Sequence, residues 1–333
     1  MNVRIYILVL NYNGWKDTLE CLQSLLEIDY PELRILIIDN ASIDDSIERI
    51  TVWLEENANT NHQLDFHECS YILGTASFDS YNNQRQLILI KSPDNLGYAG
   101  GNNIGIRYSL KDEQCGYIWI LNNDTVVHPS ALAELLKRTD GKEKAGICGS
   151  TILYYHDKKN TVQALGGAKY NKRTGWFTHI GEGGKYEPNL QPESIERDMD
   201  YVMGASMFVR REFVEDVGLL CENYFMFGEE FDWAKRGEEK YSLAFAPNSI
   251  VYHKESSSFK TAEMDNKKLY FLYRTNYVIT RRYFKPRQLF ILNIRTFLSL
   301  IKLVVYGRFG KIRVILRGIF DSFKILNNKS VTH

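Results

Sequence analysis

Tyr117-Ile118-Trp119-Ile120-Leu121-Asn122-Asn123-Asp124 carries the reading of the fold. Its apolar, β-branched and aromatic start predicts a buried strand, and its end supplies two amides and one carboxylate. In an open α/β sheet such strand ends line the ligand crevice, so this strand delivers Asn122, Asn123 and Asp124 to a binding rim.

The upstream sequence has the same grammar. Residues 5–10 read as a strand, 15–26 as a helix, 33–38 as a strand ending at Asp39-Asn40, 45–56 as a second helix and 86–91 as a third strand. Alternating strands and helices predict βαβ units: an α/β fold with a mostly parallel central sheet flanked by helices. Residues 58–85 are polar and lack periodicity, which predicts an insertion loop or small subdomain. His62, His67 and Cys69 fall there and read as chance neighbours rather than a metal site.

Composition limits the alternatives. The chain has 333 residues, 44% hydrophobic and 25% charged, enough to bury a core and unlike a disordered polymer. Its formal charge of +0 conceals an asymmetry: of the 41 Lys/Arg, ten lie beyond residue 284, against one acid, Asp321. Those basic residues cluster where the chain is also strongly apolar, which argues for a membrane surface and against nucleic acid. Five cysteines without CxxC pairing point to a reduced, cytoplasmic compartment. The apolar N-terminus is short and runs into Asn11-Tyr12-Asn13-Gly14, so it reads as a first strand rather than a signal sequence.

Three further stretches carry candidate chemistry. Asp39 ends a strand and precedes a loop rich in capping residues; it can accept a hydrogen bond from a nucleobase or ribose, or Asp39 or Asp44 can simply cap the next helix. Asp94-Asn95-Leu96-Gly97-Tyr98-Ala99-Gly100-Gly101-Asn102-Asn103 puts glycines before a helix, where backbone can approach a ligand and free amides favour phosphate. The spacing is not GxGxxG and no GxxxxGK[ST] occurs, which argues against a simple dinucleotide or P-loop enzyme. Finally, Gly228-Glu229-Glu230-Phe231-Asp232-Trp233 sets three carboxylates in four positions. They are either a catalytic cluster or ordinary helix-N-terminal charges balanced by Lys235 and Arg236.

Taken in order, Val9-Leu10-Asn11-Tyr12-Asn13-Gly14, Ile38-Asp39-Asn40-Ala41-Ser42, Asn95-Leu96-Gly97-Tyr98-Ala99-Gly100-Gly101-Asn102, Leu121-Asn122-Asn123-Asp124 and Gly228-Glu229-Glu230-Phe231-Asp232 resemble family-two inverting glycosyltransferases of the GT-A fold, with bacterial rhamnosyltransferase-type enzymes as the nearest branch. The resemblance covers about residues 3–280. It implies a nucleotide-diphosphate sugar donor, of the dTDP or UDP type, held by Asn11, Asp39, Asp44, Asn95, Gly97, Asn102, Asn122, Asn123, Gly204 and Ala205. It matches Asp124 to the last residue of the family's Asp-x-Asp motif, which binds Mg²⁺ or Mn²⁺ bridged to the diphosphate, with Asn122 in place of the first Asp. His253, after the strand-like run 249–252, matches a histidine that approaches the metal; a satisfied structural histidine is the alternative.

The same resemblance makes Glu230 the general base, with Glu229 or Asp232 as orienter and Glu229 as the alternative base. Inversion needs a carboxylate on the face opposite the diphosphate to take the acceptor hydroxyl proton, and a neighbouring anion raises its pKa toward a useful range. Residues 202–211 read as a strand whose Gly204-Ala205-Ser206 leaves room for a sugar. Trp176, Trp233 and Tyr224 can stack on sugar rings or fill core.

The tail reads separately. Over 289–306, Arg295, Ser299 and Lys302 share a narrow helical face while Ile294, Phe297, Ile301, Val304 and Val305 cover much of the rest; 311–326 repeats this with Arg313, Arg317 and Lys324 opposite Ile312, Ile315, Ile319 and Phe323. Two basic amphipathic helices lying in a membrane interface are expected, with a transmembrane span disfavoured by Arg295 and Lys302. Packing on the catalytic body or a dimer interface is the alternative. The whole reads as a catalytic domain over 1–265 (nucleotide half 1–130, acceptor half 131–265) and a helical extension over 266–333. The expected reaction is sugar transfer to a hydroxyl of a cell-surface polysaccharide or lipid-linked glycan at the inner face of the membrane. Two competing readings are a catalytically silent glycan-binding or scaffold subunit, and a sugar nucleotidyltransferase, for which 11–14 offers little positive charge.

Overall fold

The computed structural model describes residues 3–60, 64–70, 85–157, 160–171, 176–188, 190–254 and 262–327. The first half runs β1 (Arg4–Asn11), α1 (Trp15–Leu26), β2 (Leu33–Asp39), α2 (Ser46–Thr60), β3 (Leu64–Ser70), β4 (Arg85–Lys91), α3 (Gly97–Leu110) and β5 (Cys115–Asn122). The second half continues with β6 (Thr125–Val127), α4 (Ala131–Asp140), β7 (Ala145–Tyr154), β8 (Val162–Leu165), β9 (Gly167–Asn171), β10 (Trp176–His179), α5 (Pro192–Glu196), β11 (Tyr201–Val202), β12 (Ser206–Arg210), α6 (Arg211–Val217), α7 (Glu229–Gly237) and β13 (Ser242–His253). Three helices follow: α8 (Ala262–Tyr283), α9 (Pro286–Val305) and α10 (Phe309–Asn327).

The main sheet has the order β3-β4-β2-β1-β5-β12-β7-β13-β6, with β8 paired to β7. Its first five strands are mutually parallel; β12 runs antiparallel between β5 and β7, and β6 runs antiparallel on β13. This is the mostly parallel sheet expected. Both faces are covered, so β2 is buried at every position, and alternate residues of β1 serve opposite cores: Ile5, Ile7 and Val9 on one side, Tyr6 and Leu8 on the other. In α1 the buried residues Thr18, Cys21, Leu22 and Leu25 recur at helical spacing, which is why it lies flat on the sheet.

Two expectations differ. Part of the aperiodic 58–85 stretch is regular: α2 continues to Thr60, and β3 adds a parallel edge strand to β4. Its polarity reflects that edge position, where Asp65 and His67 bond to each other at 2.8 Å; His62 and residues 71–84 lie outside the described residues. The single strand expected over 202–211 splits at a turn through Gly204 into β11 and β12, which belong to different sheets, and α6 begins at Arg211.

The tail forms helices where they were expected, and the structure adds the direction in which their apolar residues face. On α9 the apolar side chains turn outward: Phe290, Ile294, Phe297, Leu298, Ile301, Val304 and Val305 are exposed, whereas Leu292 and Thr296 are buried. Arg295 leans over the Trp176 ring at 5.9 Å. On α10, Ile315 faces inward while Leu316, Phe320 and Phe323 lie exposed near Arg317 and Lys324. By length and composition α9, with a mean hydropathy of 1.6, is the one helix among the described residues long and apolar enough to cross a membrane.

Candidate functional site

The chain leaves β1 toward β2 on one side, and β5 lies on the other, so the crevice of this sheet opens above β1 and β5. Register aligns Asn11 with Asp39 and Leu10 with Asn122, bringing three sequence-predicted residues to one rim. Asn11 Nδ2 donates to Asp39 Oδ1 at 2.8 Å, and Asp39 accepts the Ser42 hydroxyl at 2.6 Å and the Ser42 amide at 3.0 Å. Asn11 Oδ1 accepts from the Thr18 hydroxyl, which also accepts from Asn123 Nδ2 at 3.0 Å. These bonds lock the β1, β2 and β5 ends into one platform. Asp44 is exposed and accepts the Ser46 amide at 3.0 Å, so it opens α2 in the way the capping alternative held.

Asn40 links this platform to the glycine run: its Nδ2 donates to Asn95 Oδ1 and the Gly97 carbonyl, and its Oδ1 accepts the Leu96 amide. The amides of Gly97 and Tyr98 are also taken, by Asn95 Oδ1 and the Phe225 carbonyl. The expectation that α3 offers free amides to phosphate is therefore corrected. The glycines serve close packing: a Cβ on Gly97, whose φ is +70°, would lie 2.4 Å from the Phe225 carbonyl, and one on Gly101 would lie 2.5 Å from Leu10. Asn102 is fully buried and donates to the Tyr98 carbonyl at 3.0 Å.

Past β5 the chain turns at Asn122–Asp124 into β6, and β6 pairs with the end of β13, setting His253 opposite Thr125. His253 Nε2 lies 3.1 Å from Asp124 Oδ1, and its Nδ1 lies 2.8 Å from Gln163 Oε1 on β8. The Gln163 carbonyl oxygen can only accept, so Nδ1 carries a proton; a neutral ring then aims its Nε2 lone pair at the carboxylate, and a protonated ring donates to it. Two electron-pair donors facing each other fit a cation between them, with Gln163 fixing the tautomer from behind. Among the described residues no three His, Cys, Asp or Glu side chains gather as a metal cage. A thin set of this kind suits a hard cation that takes its other ligands from phosphate and water. Asn122 Nδ2 lies 3.5 Å from His253 Nε2, and its amide donates to the Ala205 carbonyl. Asp124 does not cap α4, which begins at Ala131.

Ala205 leads to the carboxylates. A Cβ on Gly204 would fall 2.3 Å from Glu230 Oε1, so glycine is what lets the first turn of α7 approach the sheet. The Tyr98 hydroxyl donates to the Gly204 carbonyl at 2.6 Å. Glu230 is half-buried and its Oε2 accepts the Gly228 amide at 3.1 Å; Glu229 is buried, and its Oε2 has no partner among the described residues. Burial, reinforced by Glu230, holds Glu229 well above the usual carboxylate range. Burial also raises Glu230, against the lowering effect of its own and the Gly228 amide. Burial thus holds both carboxyls toward the protonated form, the direction that acid–base work near neutral pH needs.

Asp232 does not join them. It points away from Glu230 around the helix and is fully enclosed by Arg236 at 2.8 Å, Arg282 at 3.1 Å and the hydroxyls of Tyr224 and Tyr283. It anchors α7 to α8, so the reading of Asp232 as an orienter is corrected. Trp233 and Tyr224 are buried, the former donating to the Gly218 carbonyl, so both are core rather than sugar platforms; Trp176 packs edge-on against Tyr273. Sequence reasoning missed Gln163, Tyr98 as a neighbour of Gly204, and Lys254, whose Nζ binds Asp17 and Glu20 of α1 while its amide donates to the Asp124 carbonyl. Only Gln163 carried a signal, a lone amide inside the apolar run 162–165.

Comparison with known proteins identifies the fold and the family. The model of the family described as "Glycosyl transferase family 2" matches residues 6–61 and 76–218, passing over part of the polar stretch at 62–75. A curated relative, the low-salt glycan biosynthesis hexosyltransferase Agl10 of Haloferax volcanii, is 28% identical over 151 residues, 45% of this chain. The chain spans about half (46%) of that relative's length in the match. Among solved structures, the mannosyltransferase PcManGT from Pyrobaculum calidifontis, in complex with GDP-Man and Mn2+, superposes with a TM-score of 0.56 over 99% of this chain and 89% of its own, at 14% identity. S. aureus TarS 1-349 in complex with UDP-GlcNAc gives 0.55 over 97% and 81%, at 12% identity. These likenesses establish the GT-A fold, and with the family match covering more than half of its residues, the chain belongs to glycosyl transferase family 2.

Proposed function

We propose that this protein transfers a sugar, with inversion at the anomeric carbon, from a nucleoside-diphosphate donor to a hydroxyl of a lipid-linked or cell-surface glycan. The observation that carries the proposal is the sequence of contacts joining Asp124 and His253 to Glu230 through Asn122, Ala205 and Gly204. On this reading the Asn11–Asp39–Ser42 platform receives the nucleoside, and the small side chains at 204 and 205 admit the sugar. The 3.1 Å pair of Asp124 and His253 would hold Mg²⁺ or Mn²⁺, which when bound screens the charge of the departing diphosphate.

Glu230 takes the acceptor hydroxyl proton, and Glu229, kept neutral by burial, withholds a second negative charge from the same pocket. The exposed apolar residues of α9 and α10, interspersed with Arg and Lys, support peripheral attachment to the anionic inner leaflet of the cell membrane and hence a lipid-linked acceptor. Within the donor class, the dTDP and UDP types that the resemblance implies stand beside GDP-sugars, and rhamnose is the sugar toward which the rhamnosyltransferase-type resemblance leans.

Thermal-shift titration with dTDP-, UDP- and GDP-sugars, each with and without Mn²⁺, tests the reading, because a donor bound to the native state raises its stability by mass action. Metal-dependent stabilisation by one donor, followed by transfer that Glu230→Gln abolishes without weakening donor binding, is the expected result. A folded protein stabilised by none of them supports the silent-scaffold reading instead.

A further inference from the structure

The loop that leads into α7 is held in an unfavourable conformation. Phe225, Phe227 and Gly228 all have positive φ, at 62°, 66° and 93°. For phenylalanine such a backbone persists only where its surroundings impose it. Here the surroundings belong to α8: Arg274 donates to the Asn223 and Tyr224 carbonyls, Phe271 stacks on Phe225 with ring centroids 5.1 Å apart, and the Thr275 hydroxyl donates to the Phe227 carbonyl at 2.9 Å.

The last contact has a specific geometry. The Phe227 carbonyl and the Gly228 amide are the two ends of one planar peptide unit. Thr275 binds its oxygen, and its N–H donates to Glu230 Oε2 at 3.1 Å. A peptide beside glycine can turn over at little steric cost, so the orientation of this plane needs an external hold. Thr275 supplies it: the residue is 5% exposed, and its Cγ2 lies 2.3 Å from where a Gly228 Cβ would stand. A donor on the carbonyl end also polarises the peptide and strengthens the bond its N–H makes.

We propose that Thr275 is a positioning residue for Glu230, acting through the single Phe227–Gly228 peptide plane, so that α8 determines how the base is presented. The proposal rests on Glu230 serving as the base. Removing the hydroxyl frees the plane, weakens the amide bond to the carboxylate and leaves that carboxylate harder to ionise.

The experiment compares the full chain carrying Thr275→Val, nearly the same shape without the hydroxyl, and Thr275→Ser, which keeps it. Hydrogen exchange of the peptide containing Gly228 needs no substrate: faster exchange in Thr275→Val, restored in Thr275→Ser, with β5 unchanged, is expected. Exchange equal to the parent in both variants overturns the proposal. With the donor that the thermal-shift titration selects, the acid limb of the kcat profile moves to higher pH in Thr275→Val, giving about tenfold lower kcat on that limb for a one-unit displacement, while the donor KM holds and Thr275→Ser recovers. A parental profile, or a loss confined to KM, overturns it. Retained transfer in Glu230→Gln sinks the base reading alone, and the exchange result still decides whether Thr275 holds the plane.

Discussion

Replacing Asp232 separates an architectural carboxylate from a catalytic one. The side chain is fully enclosed and receives two guanidinium groups, 26% and 29% exposed, and two tyrosine hydroxyls. Asp232→Ala leaves those donors facing an apolar methyl. Removing one partner of a buried ion pair costs about 3–5 kcal/mol. Arg236 keeps the Val217 and Leu219 carbonyls, and both arginines reach solvent in part, so the lower end, about 3 kcal/mol, applies. At roughly 2 °C per kcal/mol for a large domain, the melting midpoint falls by about 6 °C. Asp232→Asn, which keeps the volume and one acceptor, costs about 1–2 kcal/mol. Differential scanning calorimetry on both variants and on Glu230→Gln measures this. An Asp232→Asn protein that melts with the parent yet has lost transfer would refute the reasoning, because the carboxylate would then act on the reaction rather than on the α7–α8 junction.

Three other outcomes are expected. Asp124→Asn and His253→Ala each abolish the Mn²⁺-dependent part of the donor-induced thermal shift, and Gln163→Leu, which frees the imidazole tautomer, weakens it by about tenfold; a parental Mn²⁺ response in all three would remove the metal assignment. Glu229→Gln stabilises the fold in a pH-dependent way. Because the folded pKa of Glu229 is raised, its contribution is complete below the unfolded value of about 4.3 and is lost as pH rises through the folded one, so the variant's advantage is absent near pH 4 and grows toward pH 8; a pH-independent difference contradicts the burial argument. Vesicle co-sedimentation tests the tail: Arg317→Gln with Lys324→Gln weakens binding to anionic vesicles by roughly thirtyfold, at about 1 kcal/mol per charge, and Phe297→Asp with Leu298→Asp weakens it on neutral vesicles as well. Equal binding by parent and variants would place that face against protein instead.

What could be read from the sequence alone was local. The apolar runs at 5–10, 33–38, 86–91 and 117–120 announce buried strands because a parallel sheet covered on both faces needs continuous hydrophobicity, and the residues ending them, Asn11, Asp39 and Asn122, had to share a rim because side-by-side strands end together. The Asp124–His253 pairing was legible as family likeness, though not as chemistry, since 128 intervening positions conceal a strand-to-strand register. Tertiary structure decided the rest. Asp232 looked like Glu230's companion because both are acids in one motif, but helical geometry turns them apart and α8, fifty residues later, claims one of them. The amides leading into α3 looked free because two of their acceptors, Asn40 for Leu96 and Phe225 for Tyr98, come from other parts of the chain. The outward apolar face of α9 obeys the same periodicity as an inward one: a period tells which residues share a side, and only packing tells which side meets the protein.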